Sequence, residues 1–214
     1  MDFRRQLGVF DPDKHSRKIH VAGAGGIGGP VTLALTKMGV KDVRVWDHDT
    51  VEAHNQPNQL YGKRSVGYDK VEELNDIVKD LADSSITGTP TKYFANPHLS
   101  SPFITVSAVD SMQARESIYK EWRKHGGRWL VDGRLGGQVI RVYAVNQENH
   151  KRYATTIKPE QMVPTVPCTQ AAVIDVMFAV GALVARACRL IMTKQKPEFE
   201  VLYDHRNLIF IKES

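Results

Sequence analysis

A run of glycines wedged between a strand and a helix limits this chain more than any other feature. Ile19-His20-Val21-Ala22 is short and apolar enough for a buried strand, and it runs straight into Gly23-Ala24-Gly25-Gly26-Ile27-Gly28-Gly29. Beyond the glycines, Val31, Ala34, Leu35 and Met38 recur at i, i+3, i+4 and i+7, which places them on one face of a helix. Pro30 is tolerated in the first turn of that helix and Gly39 is a natural terminator. Val43 to Trp46 reads as the next strand and is closed by Asp47. Strand, glycine turn, helix and strand make a βαβ unit, whose crossover is right-handed almost without exception.

Gly23, Gly25 and Gly28 fit G-x-G-x-x-G in the setting that gives the pattern meaning, with a strand before and a helix after. Glycine lets the backbone turn tightly and approach a phosphate, whose charge is met by free N–H groups and the positive end of the helix. Asp47, at the end of the next strand, stands where a carboxylate can bind both ribose hydroxyls. A nucleotide site is one reading of these residues; glycines serving only close helix packing is the other.

The rest of the chain extends the α/β pattern. His48 to Tyr68 is polar and lacks either period, as a long functional loop would. From Asp69, Val71, Leu74, Val78 and Leu81 resume helical spacing, and a Gly-Thr-Pro break leads to an expected strand over Thr91 to Phe94. Phe103 to Val109 is continuous and β-branched, as strands buried on both faces are, and is followed by Asp110 and a helix over Ser111 to Lys124. Trp129 to Val131 and Gln138 to Val145 read as strands separated by a glycine-rich turn, Asp132 to Gly137. Asn146 to Pro167 is less regular, a long apolar helix follows Cys168, and Glu198 to Lys212 reads as a hairpin turning at Asp204-His205-Arg206-Asn207. The expectation is one α/β, Rossmann-like domain over residues 1–214, with a mostly parallel sheet, helices on both faces, an N-terminal arm (1–18) and a C-terminal hairpin (198–214).

Composition narrows the class. At 42% hydrophobic and 25% charged residues the chain is an ordinary globular one, not disordered or fibrous. The formal charge of +5 is spread along the chain, which suits anionic small ligands and gives no dedicated nucleic-acid arm. Cys168 and Cys188 make neither a disulfide framework nor a four-thiolate zinc site, and the charged start shows no signal peptide, so a cytoplasmic setting is expected. Ala171 to Met192 is apolar over about a bilayer's span, but it carries Asp175, Arg186 and Arg189, charges that cost about 2.5–3.5 kcal/mol each at membrane depth. A buried helix is the expectation there, not a membrane span.

The residues after Asp47 are less generic: Asp47-His48-Asp49-Thr50-Val51, then Asn55-Gln56-Pro57-Asn58-Gln59, then Val66-Gly67-Tyr68-Asp69-Lys70. This run resembles the adenylation domain of the MoeB/ThiF proteins and ubiquitin-activating enzymes, with its pattern G-x-G-G-x-G, D-x-D-x-V, N-x-x-R-Q and V-G-x-x-K. Arg4-Arg5-Gln6 resembles the family's R-Q arm, and Val106 to Arg115 its strand ending in an aspartate, so the resemblance covers nearly the whole chain. It implies ATP-dependent adenylation of the C-terminal glycine carboxylate of a ubiquitin-like or sulfur-carrier protein, or a related peptide. By the same resemblance Gly23, Gly25, Gly26 and Gly28 cradle the phosphates and Lys70 reaches them, while Arg5 enters from the partner protomer of a homodimer. Asp110 holds Mg²⁺, Asn55 and Gln59 orient the nucleotide, and Asp49 sits beside Asp47. Each of these has a plainer reading: Lys70 as a solvated residue opening a helix, Arg5 as an arm residue, Asp110 as a helix N-cap. His48 and His54 read as loop hydrogen-bonders and not as metal ligands.

Two departures from the family pattern stand out. Asn58 occupies the place of the Arg in N-x-x-R-Q, and a neutral amide cannot equal a guanidinium against phosphate, so either Lys63 or Arg64 compensates or the activity is weak or differently directed. The family's frequent pair of zinc-binding CxxC motifs is missing. Cys168 stands before the long helix where thioester-forming relatives carry a cysteine; a helix N-terminus activates a thiol, but a buried free cysteine is also simply a small hydrophobe. Two readings from other classes remain: a NAD-dependent oxidoreductase using the same glycine loop, and a non-catalytic partner subunit with this fold, to which Asn58 points.

Overall fold

Strand β1 (Ile19–Ala22) is buried at all four residues because it lies inside a sheet covered on both faces. In the computed structural model, which describes residues 1–94, 102–159, 161 and 173–214, β1 pairs in parallel with β2 (Val43–Trp46) on one side and β4 (Ile104–Ser107) on the other. With β3 (Thr87–Thr89), β5 (Trp129–Gly136), β6 (Val139–Val145), β7 (Glu200–Asp204) and β8 (Ile209–Glu213) it forms one eight-stranded sheet in the order β3-β2-β1-β4-β5-β6-β7-β8. Pairing is parallel from β3 to β5 and antiparallel from β5 to β8. The expected Rossmann-like architecture is therefore present, and the chain leaves β1 toward β2 but returns beyond β1 to form β4. In open α/β sheets a ligand crevice forms outside the strand ends at such a switch point.

Helices α2 (Gly28–Lys37), α3 (Lys70–Ala82) and α6 (Ile174–Met192) pack on one face through Val31, Leu35, Leu74, Val78, Val180 and Val184. Helices α4 (Met112–Lys124) and α5 (His150–Ala154) cover the other, where Ile118, Trp122 and Tyr153 meet Ala22, Leu130 and Tyr143. The arm carries a one-turn helix, α1 (Pro12–His15), capped by the Asp11 side chain. No described helix is long and apolar enough to cross a membrane; in α6 Arg186 instead pairs with Glu198 at 2.9 and 3.2 Å.

Several boundaries differ from expectation for physical reasons. The strand expected at Thr91–Phe94 lies earlier, at Thr87–Thr89, where Gly88 gives α3 room: a Cβ there would come within 3.0 Å of Val71. Pro90 ends it, and the next residues turn back toward the sheet end. The glycine-rich stretch from Asp132 is no turn, because β5 runs on through it to Gly136. Gly133 answers a crossing helix, since a Cβ there would sit 2.8 Å from Val184 of α6. Within the region read as irregular, His150–Ala154 forms α5. Leu81, expected to face inward, is exposed in the last turn of α3, while Lys70 at its start is buried.

Candidate nucleotide site

A cleft of about 750 Å³ opens at the carboxyl ends of β1, β2 and β4, at the switch point. Its walls include Gly23, Gly25, Gly26, Asp47, Asp49, Asn55, Asn58, Gln59, Lys70 and Asp110.

The glycines divide their labour. Gly23 has φ +103°, and a Cβ there would lie 2.5 Å from the Ala108 carbonyl oxygen, so the turn out of β1 and the contact with β4 both require it. A Cβ at Gly28 would lie 1.9 Å from the Gly23 carbonyl oxygen, so α2 can start against the loop only with glycine there. These two meet the packing reading. At Gly25 the nearest neighbour of an added Cβ is the Gln59 side chain at 3.9 Å, and the residue lines the cleft. Gly26 packs under Met177 of α6, whose sulfur would be 2.7 Å from a Cβ.

Asp47 does more than end a strand. Its Oδ2 accepts the Ala24 N–H at 2.7 Å and its Oδ1 the Asp49 N–H at 2.9 Å, which fixes the glycine loop to the end of β2. Lys70 is no solvated lysine: its Nζ donates to Asp49 Oδ2 at 2.9 Å, and its backbone N–H donates to the Asp49 carbonyl at 3.1 Å. Burial pushes the Asp49 carboxyl up, but the Lys70 hydrogen bond and charge, with His48 and Lys92, hold it below the usual value. Asp47, His48 and Asp49 bring ligand atoms within 4.8 Å of one another. The two carboxylates are, however, already engaged by backbone N–H groups and Lys70.

The loop from His48 to Tyr68 contains two short 3₁₀ turns, Ala53–Asn55 and Lys63–Ser65. Asn55 Oδ1 accepts the Glu52 N–H at 2.9 Å, so its NH₂ is the end left to a ligand. The side-chain oxygens of Asn58 and Gln59 are buried with no partner among the described residues. Buried, unanswered polar atoms on the wall of a cleft fit a ligand with hydrogen-bonding groups.

At the far wall, Asp110 is exposed in the cleft. The cap of α4 is Ser111, whose hydroxyl accepts the Ala114 N–H at 3.2 Å, so the Asp110 carboxylate is not spent as that helix's cap. Behind it Arg115 donates to the Val109 carbonyl, to Asp132 Oδ1 and, at 3.0 Å, to the Gly133 carbonyl. Asp132 Oδ2 also accepts from Arg134 Nε at 2.6 Å and from the Tyr153 hydroxyl at 3.0 Å. Sequence reasoning gave Asp132, Arg134 and Tyr153 no role, because the first two lie in a stretch that reads as a turn and Tyr153 joins them from another element.

Three expectations fare differently. Arg5 is exposed and does not line the cleft; its neighbours Phe3 and Gln6 hold the arm at the far end of α2, where the Gln6 side chain donates to the Met38 carbonyl at 2.8 Å. Lys63 and Arg64 are exposed and also off the cleft wall, so neither compensates for Asn58 in this arrangement. Lys92 does line the cleft, beside Tyr93, which meets Trp46 edge-on at 5.1 Å. A single basic residue after a Gly-Thr-Pro break gave no signal of that placement. Cys168 lies outside the described residues; Cys188 is buried in α6, where burial pushes its thiol up to about 12.

Among solved structures the chain is similar to E. coli MccB in complex with AMPCPP and MccA, at a TM-score of 0.75 and 16% identity over 95% of this chain and 65% of that one. It is 28% identical to the SUMO-activating enzyme subunit uba-2 of Caenorhabditis elegans over 167 residues, covering 73% of this chain and 28% of that protein. It is 40% identical to the adenylyltransferase and sulfurtransferase UBA4 of Lodderomyces elongisporus over 67 residues, 31% of this chain and 15% of that protein. The chain thus spans less than a third of the length of these curated relatives. The ThiF family model matches residues 5–209, and the chain belongs to the ThiF family.

Proposed function

We propose that this chain is an adenylyltransferase that binds ATP in the cleft and joins AMP to the C-terminal glycine carboxylate of a ubiquitin-like or sulfur-carrier protein, or of a related peptide. The observation that carries the reading is the convergence on one cleft, at a sheet switch point, of the glycine loop, Asp47, Lys70 and Asp110. Relatives named adenylyltransferase and SUMO-activating enzyme subunit, and the solution of E. coli MccB with ATP, support it.

In the reaction, a substrate carboxylate oxygen bonds to the α-phosphorus, the bond from that phosphorus to the β-phosphate bridge breaks, and pyrophosphate leaves with the electron pair. Negative charge grows on the non-bridging oxygens and on the leaving group, so catalysis consists of positioning and electrostatic stabilisation. Gly25 and Gly26 present backbone N–H groups at the start of α2, Lys70 supplies the cation, and Asp47 holds the ribose hydroxyls. The nucleotide's polar groups answer Asn55, Asn58 and Gln59. Asp110, a cleft carboxylate with no partner among the described residues, fits Mg²⁺, which binds through one or two carboxylates plus substrate phosphates and would neutralise the triphosphate. Lys92 stands where it can offset the charge lost with Asn58.

The reading extends to a homodimer, because Arg5 sits at the end of α2 remote from its own cleft and is free to serve a partner's. It also extends to a cytoplasmic setting, and to onward transfer to Cys168, in which the thiolate displaces AMP from the acyl-adenylate. A second reading, a non-catalytic partner subunit, is favoured by Asn58 alone.

The test is ATP–pyrophosphate exchange with Mg²⁺ and carrier proteins or peptides ending in glycine. Exchange dependent on the acceptor and abolished by EDTA is expected. ATP binding without exchange for any acceptor selects the partner-subunit reading, and binding of NADH in place of ATP overturns the nucleotide assignment.

A further inference from the structure

We infer that Tyr61 is the positioning residue of the phosphate end of the cleft: its hydroxyl, set between the carbonyls of Ala24 and Lys70, aims the Gly25 N–H and the start of α3 toward a common ligand. The inference rests on the nucleotide reading above.

Tyr61 is 3% exposed, although it comes from the polar loop between the two 3₁₀ turns. Its hydroxyl lies 2.6 Å from the Ala24 carbonyl oxygen and 3.1 Å from that of Lys70. Burial, with the charges of Asp47 and Glu73, pushes the phenol far above its ordinary range, so the hydroxyl keeps its proton and acts as a donor. One proton facing two carbonyls bonds the nearer more strongly, and that is Ala24 in the glycine loop.

The Ala24 N–H is already held by Asp47 Oδ2. The peptide units on both sides of Ala24 are therefore fixed, one by a carboxylate and the other by a phenol. In a trans peptide the carbonyl and the next residue's N–H point in opposite directions, and the described residues contain no cis bond. Tying the Ala24 carbonyl to Tyr61, which is not on the cleft wall, turns the Gly25 N–H to the opposite side, where Gly25 lines the cleft. The same hydroxyl reaches the first residue of α3, whose side chain is the cation of the site. Through one atom, a residue that touches no ligand sets both the loop donor and the lysine.

Tyr61→Phe removes that atom and leaves the ring packed. In the nucleotide-free protein, faster exchange is expected in the variant at the Ala24 N–H, the loop amide that Asp47 holds. ATP affinity should fall about 2–10-fold, the span of one net hydrogen bond, while adenosine, which lacks phosphates, should compete for the site as it does in the unaltered protein. Equal weakening of ATP and adenosine would assign Tyr61 a merely structural role and overturn the inference. Unchanged ATP affinity with unchanged Ala24 exchange would do the same. Unaltered protein that binds neither ATP nor adenosine overturns the nucleotide reading itself, and that arm is read before the variant is compared.

Discussion

The two walls of the cleft present charge in opposite ways. On the side proposed to hold the phosphates, the charged groups face the cleft themselves: Lys70 and Asp49 pair at 2.9 Å, with the lysine side chain 8% and the aspartate side chain 52% exposed. On the carboxylate side the group proposed to work is Asp110, exposed in the cleft with no partner among the described residues, and the paired charges stand behind it. Asp132 is 0% exposed and takes hydrogen bonds from Arg115, Arg134 and Tyr153. Water can take up a charge released on the first side, but nothing replaces a lost charge in the second. The first wall should therefore be sensitive in function and tolerant in stability, and the second the reverse.

The strongest way to break this contrast is Asp132→Asn. The amide keeps the shape, removes the charge shared by two buried guanidinium groups, and in either orientation turns its NH₂ toward an arginine that can only donate. Breaking a buried pair by removing one partner costs about 3–5 kcal/mol, and urea denaturation should register a loss of that size. A loss under about 1 kcal/mol would show that the network is not what holds the loop before Asp110, and the contrast would fail at its firmer end.

Lys70→Met probes the other wall. Methionine nearly matches the length of the lysine stem in its buried slot, and Asp49, half exposed, can turn to solvent, so stability should change by less than about 1.5 kcal/mol. The variant should lose about 100-fold or more in ATP–pyrophosphate exchange, the usual cost of removing a group aimed at developing charge. With Lys70 gone, burial is left to push the Asp49 carboxyl up against His48 and Lys92 alone. Melting well below the unaltered protein would make Lys70 a structural residue and erase the difference between the walls.

The same contrast explains what could be read in the sequence. Much of the phosphate wall comes from neighbours in the chain: the strand, the glycines, the helix spacing and Asp47 belong to one βαβ unit that periodicity and motif find, while Asp49 and Lys70 come from the family resemblance. The carboxylate wall gathers Arg115 from α4, Asp132 and Arg134 from β5 and Tyr153 from α5, so no local pattern announces it. Gly133 misled in the same way, since glycine reads as a turn unless one knows that α6 crosses there. Tyr61 was hidden as an aromatic in a polar loop, and Lys92 by the recoil of the chain after Pro90. Lys63 and Arg64 illustrate the converse, being near the motif in sequence and off the cleft in space.

The smallest effect comes from a pair with the chemistry of the carboxylate wall and the wetness of the phosphate wall. Arg186 grips Glu198 through two hydrogen bonds, with side chains 37% and 21% exposed. The Arg186 hydrogen bonds hold the Glu198 carboxyl down at about 2, against burial and with help from Lys212. A depressed carboxylate stabilises the fold fully above its unfolded value and loses that contribution as pH falls toward the folded value, here from about 4.5 to about 2. Solvent screening discounts the shift, so Glu198→Gln should cost only about 1 kcal/mol at pH 7. Urea melts of the two proteins should differ by that amount at pH 7 and converge as the pH approaches 2. If the gap persists at the acid end, the glutamate acts through packing and not charge. If it matches the loss for Asp132→Asn, then desolvation is not what separates the two walls of the cleft.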